Sequence, residues 1–167
     1  MAKKNRPVLK IPRSEQERLL DTLTIIAIAL LILLPTLNYG SLPDEVPTHF
    51  NAKGEADAWN SKLYLWILPS LGVLMAILMQ LLTTIPHHYN YKVEITEENA
   101  PKQCQRGRTI IRFFNTFDTI LFTVITWFII RAAQGDAGEM NKWMLPVILI
   151  ATLFAVIYAF WIIHKKD

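Results

Sequence analysis

Apolar side chains crowd into four runs of the chain, at about residues 20–39, 63–85, 110–130 and 143–163. A helix crosses the bilayer core in about 20 mostly apolar residues, so each run is long enough to span. The first is free of charge from Thr22 through Pro43, while the third is interrupted by Arg112 and Asp118. The pattern predicts one all-α domain over 1–167, an integral membrane four-helix bundle with a loop at 40–62 and a connection at 86–109. Local signals place the helix ends. Ser14 and Glu17 form a Ser-x-x-Glu capping box, so the first helix is expected to begin near Glu15. Gly40 is expected to close it and Pro43 to forbid its continuation. Thr96 or Asn99 is expected to cap the third helix, which should project past the bilayer before entering it. Tyr91 to Ile95 alternates like a strand but has no partner, and reads better as an extended linker.

Cationic residues orient these spans. Lys3, Lys4, Arg6, Lys10, Arg13 and Arg18 precede the first, whereas the 40–62 loop holds only Lys53 and Lys62. Lys92, Lys102, Arg106 and Arg108 lie between the second and third, Arg131 and Lys142 between the third and fourth, and Lys165 and Lys166 in the tail. The positive-inside rule then places both termini in the cytoplasm and the 40–62 loop outside the cell membrane. Tyr39, Tyr64, Trp66 and Trp143 fall at the outer ends, where an aromatic belt belongs. The polar segment ahead of the first run is longer than a signal peptide's, and a retained anchor is expected. The chain is 52% hydrophobic and 19% charged with a net charge of +3, and its charges flank the apolar runs. Lipid is the expected partner, not nucleic acid, since no separate basic surface exists. Cys104 is the single cysteine, which rules out an internal disulfide and a thiolate metal cluster. Oligomeric state has no sequence signature.

Within the membrane, Pro35, Pro69 and Pro146 fall in the outer parts of three spans. Each frees a carbonyl four residues back, on Leu31, Leu65 and Lys142. Two readings fit: kinks that splay the outer ends into a vestibule, or prolines absorbed by neighbouring helices. Arg108, Arg112, Asn115, Thr119, Thr123 and Thr126 recur every three or four residues and share one face of the third helix, with Asp118 beside it. Asp118 should lie about 9 Å deeper than Arg112. A polar cluster of Thr24, Gln80, Arg112, Asn115, Asp118 and Tyr158 is expected near the cytoplasmic side. There Asp118 either joins helices, protonated or paired with Arg112, or moves protons or ions in a small transporter.

The 40–62 loop is dense in chemistry. Pro43 and Pro47 stiffen it and Gly54 permits a turn, so an ordered cap is expected. Asp44, His49, Phe50, Asn51, Gly54, Asp57, Trp59 and Lys62 are the candidate ligand-binding residues. An imidazole changes charge near neutral pH, so binding at His49 would depend on pH. The competing reading is bracing, with Asn51 and Asp57 bonding loop backbone and Asp44 pairing with Lys62. One His among the acids Asp44, Glu45, Glu55, Asp57, Asp136 and Glu139 is a poor zinc set, and no metal or other cofactor is expected. His49 and Asp57 with Ser41 or Ser61 can be drawn as a triad, but no nucleophile motif supports it, and no catalytic residue is assigned.

The stretch Leu42-Pro43-Asp44-x-x-Pro47-x-His49-Phe50-Asn51, followed by Gly54, Asp57, Trp59, Ser61 and Lys62, resembles the signature of a bacterial membrane family of unknown function. That family also forms the first half of SdpI-type immunity proteins, which protect cells from a self-made hydrophobic toxin peptide. The likeness continues through His88-Tyr89-Asn90-Tyr91 and Val93 to Asn99, and the SdpI-specific second half is expected to be missing. The resemblance implies a non-enzymatic receptor, immunity or accessory protein that binds an extracellular hydrophobic or peptide ligand, or a partner membrane protein. The alternatives are a membrane-embedded hydrolase or transferase using His49 and Asp57, and a transporter using Asp118.

Overall fold

The Ser14 hydroxyl accepts from the Glu17 amide at 3.2 Å, and the Glu17 carboxylate accepts from the Ser14 amide at 2.8 Å. This reciprocal box starts α1, Glu15–Asn38. The computed structural model describes residues 9–135 and 138–164, without the side chains of 138–141. Lys3, Lys4, Arg6, Asp136, Lys165, Lys166 and the side chain of Glu139 therefore lie outside the described residues. After α1 come two strands, β1 (Glu45–Phe50) and β2 (Ala56–Ser61), then α2 (Ile67–Leu82), α3 (Ala100–Ala133) and α4 (Gly138–His164). All four helices are long and apolar enough to cross a membrane, α2 together with the turn that leads into it. The chain is a multi-pass membrane protein.

Gly40 does not close α1 in a left-handed conformation. The helix tightens into a 3-10 turn over Tyr39–Ser41, and Leu42 turns extended (φ −79°, ψ 146°) because the ring of Pro43 disfavours helix before it. Thr96 and Asn99 share the start of α3: each side chain accepts the other's amide, at 3.3 and 3.0 Å. The segment Tyr91–Ile95 pairs with no strand among the described residues. Pro69 falls in the first turn of α2, where a missing N–H costs no helical bond, so only Pro35 and Pro146 interrupt helix interiors.

The all-α expectation fails at residues 45–61. β1 and β2 form an antiparallel hairpin. Its turn follows from Asn51 and Gly54. The Gly54 amide donates to the Asn51 carbonyl at 2.9 Å, and the Asn51 side chain accepts from the amides of Lys53 (2.8 Å) and Glu55 (3.1 Å). Gly54 then takes φ 79°, the left-handed position that a three-residue hairpin loop reserves for glycine. Val46, Leu42, Leu65 and Ile130 form a buried cluster, extended by Leu34 and Ile129, that seats the hairpin on α1 and α3.

α3 is the axis of the bundle, and α1, α2 and α4 each pack against it. Its core face carries Asn115, Thr116, Thr119 and Thr126, all buried, while leucines, isoleucines and phenylalanines of α1, α2 and α4 stay exposed. That inversion suits lipid, where apolar burial adds no drive between helices and small residues and hydrogen bonds do. Thr116, Thr119 and Thr123 donate to the carbonyls of Arg112 (2.9 Å), Asn115 (2.7 Å) and Thr119 (2.8 Å). The fully buried Thr126 hydroxyl has no partner among the described residues. The Asn115 amide donates to the Ala76 carbonyl at 3.2 Å, which ties α3 to α2.

Gly72 lets α2 approach closely. A Cβ there would sit 2.7 Å from Leu31 Cδ2 and 2.8 Å from Phe122 Cδ2, whereas one on Gly40 would meet nothing within 4 Å. Gly72→Val should therefore cost about 1–3 kcal/mol through overpacking and lower the thermal midpoint in detergent. Gly40→Ala should leave that midpoint unchanged.

Candidate functional site

The hairpin end carries a cavity of about 420 Å³. β1 roofs it with Val46, Pro47, His49 and Phe50; Leu65 and Leu68 form one wall; Ile125 and Ile129 of α3 and Met144 and Ile148 of α4 close the rest. The walls are nearly all apolar. Thr48, His49 and Tyr64 supply its polar groups, and His49 Nδ1 lies 2.5 Å from Asp57 Oδ1, with both of those side chains exposed.

Irregular pairing of the strands produces that pair. Pro47 faces Trp59, His49 faces Ala58 and Phe50 faces Ala56, so Thr48 and Asp57 fall out of the ladder. Such bulges bend strands and re-aim side chains, and here one sets Asp57 beside His49. The other loop candidates divide. Phe50 lines the cavity. Asn51 and Gly54 build the turn, and Asn51 also donates to the Glu55 carboxylate at 2.9 Å. Lys62 lies 3.2 Å from Asp44 and 5.3 Å from the centre of the Tyr39 ring, a clamp at the base of the hairpin. Trp59 is exposed and does not line the cavity. Asp57 bonds His49 rather than loop backbone. Ser41 donates to the Asn38 carbonyl at 2.8 Å, and the Ser61 hydroxyl accepts from the Leu63 amide at 3.4 Å. Neither serine stands by His49 as a nucleophile. Among the described residues no three His, Cys, Asp or Glu side chains gather as a metal site.

At the opposite end, the polar residues expected to cluster separate into groups. Thr24, Gln80 and Asn115 line a cavity of about 330 Å³ between α1, α2 and α3, together with Arg13 and Asp21. The hydroxyl of Thr24 meets that of Thr116 at 2.8 Å. Tyr158 stands apart, packed on Phe113 with ring centres 4.6 Å apart and accepting from Gln16 at 3.1 Å. Asp118 is half-buried and has no polar partner among the described residues. The Arg112–Asp118 pair does not form. Six residues along a helix carry a side chain about 240° around it, away from Arg112.

Arg112 turns instead to two acids of α1. Its Nε donates to Asp21 at 2.8 Å and its Nη1 to Glu17 at 3.2 Å. Arg108 donates to Glu17 at 3.0 Å and to the carbonyls of Ile11 (2.9 Å) and Pro12 (3.1 Å). Arg108 Nε lies 2.9 Å from the same carboxylate but is misaligned for a hydrogen bond. Arg13 adds an exposed bridge to Asp21 at 3.2 Å. Glu17 is fully buried, and Arg108 and Arg112 nearly so. Sequence reasoning placed the arginines on one stripe but assigned Glu17 only to the cap and passed over Asp21. Their signal was present: Glu17, Asp21 and Thr24 repeat at helical spacing on α1, matching Arg108, Arg112 and Asn115 on α3. Nearby, burial pushes the Tyr89 phenol up to about 12, and it donates to the Leu82 carbonyl at 2.7 Å.

A domain of unknown function, DUF1648, matches residues 25–73, from within α1 to within α2 and across the hairpin. An uncharacterized protein of Archaeoglobus fulgidus is 40% identical over 74 residues, which are 44% of this chain and 40% of that protein. The aligned part thus spans about two-fifths of the relative's length. No solved structure matches the chain.

The two ends of the bundle should respond differently to substitution. Glu17→Ala strands two buried guanidinium groups and should cost about 3–5 kcal/mol in unfolding experiments. Arg13→Ala, at an exposed pair, should cost under about 1 kcal/mol.

Proposed function

We propose that the protein is a non-enzymatic membrane receptor or immunity protein that takes a hydrophobic or peptide ligand into the cavity beneath the hairpin. The amino terminus lies in the cytoplasm and the hairpin outside, as the distribution of Lys and Arg favours. The observation that carries this reading is the apolar cavity of about 420 Å³ with an imidazole–carboxylate pair at its mouth. Sites for small ligands have that size and character, apolar walls with a few polar groups that orient the guest. Further support comes from the DUF1648 match, which runs across the hairpin, and from the resemblance of the loop signature to SdpI-type immunity proteins. A toxin peptide that works in membranes is a ligand such a cavity suits.

The test is survival of cells challenged with a hydrophobic, membrane-active peptide. Wild-type protein should raise survival. His49→Ala should abolish the effect, as should Ile125→Trp, which fills the cavity; Lys53→Ala at the turn should not. Membrane insertion, read by fractionation, should persist in all three. Full protection by both the His49 and Ile125 variants would remove the cavity from the function.

Sidedness has its own measurement. With Cys104 replaced by serine, Lys53→Cys should react with an impermeant maleimide added to whole cells. Labelling only in inverted vesicles would place the hairpin in the cytoplasm.

One observation favours a second reading. The His49–Asp57 contact is the arrangement of a general base with its orienting carboxylate. Turnover of a lipid or peptide by purified protein, lost in Asp57→Asn, would replace the binding reading with an enzymatic one.

A further inference from the structure

The charged end of the bundle holds more cation than its own acids neutralise. A second cavity there, of about 490 Å³, lies between residues 9–13, the end of α2 and the part of α3 that carries Arg108 and Arg112. Lys10, Arg13, Arg108 and Arg112 all line it. The only carboxylates bonded to these four groups among the described residues are Glu17 and Asp21. Two positive charges are left over. Residues 1–14 contain no acid.

The surplus is aimed at the cavity. Arg112 spends Nε on Asp21 and Nη1 on Glu17, and its Nη2 has no partner among the described residues. Arg112 is nevertheless only 3% exposed, and it lines this cavity rather than the neighbouring one beside Thr24. Lys10 is exposed and makes no ion pair among the described residues. The negative end of α2 is muted here, because the hydroxyls of Thr83 and Thr84 cover the carbonyls of Gln80 (2.8 Å) and Leu81 (2.7 Å). Uncompensated cations beside a low-dielectric bundle call for an anion.

We propose that this cavity binds a phosphate oxyanion, gripped by Lys10, Arg13 and Arg112, and that the headgroup of an anionic phospholipid supplies it. Position selects the lipid. The cavity sits where α2 ends and α1 begins, at the rim of the apolar runs, which is the depth of headgroups in the leaflet on the amino-terminal side. Basic pockets between helices at that depth are headgroup sites, and each cation near the surface contributes enough to change affinity about fivefold. The volume accommodates a phosphodiester with its glycerol. A soluble phosphate compound offers the same oxyanion, and the experiment separates the two sources.

The full-length protein in neutral detergent is titrated with dioleoyl phosphatidylglycerol, dioleoyl phosphatidylcholine or inorganic phosphate, and its thermal midpoint is followed. Phosphatidylglycerol should raise the midpoint saturably, phosphatidylcholine far less, and inorganic phosphate not at all at matched concentration. Lys10→Ala should weaken the half-saturation point for phosphatidylglycerol about fivefold, and Lys10→Glu about 25-fold. Lys10 makes no ion pair among the described residues, so both variants fold as the wild type does. A Lys10-dependent shift with inorganic phosphate would uphold the oxyanion site and assign it to a soluble occupant. Equal responses to the two lipids would overturn the proposal, as would Lys10→Glu protein that responds to phosphatidylglycerol like the wild type. These outcomes do not involve the hairpin cavity.

Discussion

One carboxylate holds the charged end of this bundle together. Glu17 accepts the Ser14 amide that begins α1, and also the guanidinium groups of Arg108 and Arg112 on α3. In water such a buried cluster adds little, because desolvating the ions offsets their attraction. At a membrane rim the alternatives are worse. A charge that loses its partner must drag water into the bilayer edge or give up its ionisation. The network is therefore less a source of stability than a rule of assembly. α1 and α3 can associate only in the register that brings Glu17 and Asp21 against both arginines.

That register runs the length of the helices. Arg112 bonds Asp21, the hydroxyl of Thr116 meets that of Thr24, Thr123 donates to the Ala27 carbonyl at 3.2 Å, and Gln134 donates to Asn38 at 3.2 Å. The partners rise together along both chains, so α1 and α3 run parallel, tied at intervals from one end to the other. At the far end this alignment brings Leu34 of α1 beside Ile130 of α3, where Leu42, Val46 and Leu65 complete the seat of the hairpin. The position of His49 over its cavity thus depends on ion pairs at the opposite end of the helices.

Periodic features were legible in the residues alone. The four apolar runs, the Ser14–Glu17 box and the Arg–Asn–Thr stripe on α3 each repeat at a spacing that has one structural meaning. Pairing between distant segments was harder to read. Glu17 fully explained as a cap gave no reason to seek a second role, yet its two oxygens serve both. Asp118 drew attention as the acid inside an apolar run, but a side chain's depth says nothing about which way it faces, and it faces away from Arg112. The hairpin was hidden for another reason. Pro47 interrupts an otherwise strand-like segment, and proline argues against a central strand. A two-stranded hairpin has only edge strands, so that objection loses its force. The informative signal was Asn51-x-x-Gly54, the chemistry of a three-residue hairpin turn, which the sequence supports as a turn in an ordered loop without revealing the strands on either side.

The two ends solve opposite problems with one bundle. At the hairpin end, polar groups sit on a strand pair above an apolar cavity, and nearly all their hydrogen bonds are local: Asn51 with its own turn, Lys62 with Asp44, His49 with Asp57. The hairpin is therefore joined to the helices mainly through its apolar seat. At the other end the bonds join residues more than ninety positions apart, and such contacts forbid sliding. A charged base tied by long-range bonds and an apolar mouth seated on a small cluster are thus joined by two parallel helices. Between the ion pairs and the apolar cluster, the threonines of α3 bond both their own helix and α1, and Asn115 bonds α2, so the helices are held close along the middle as well.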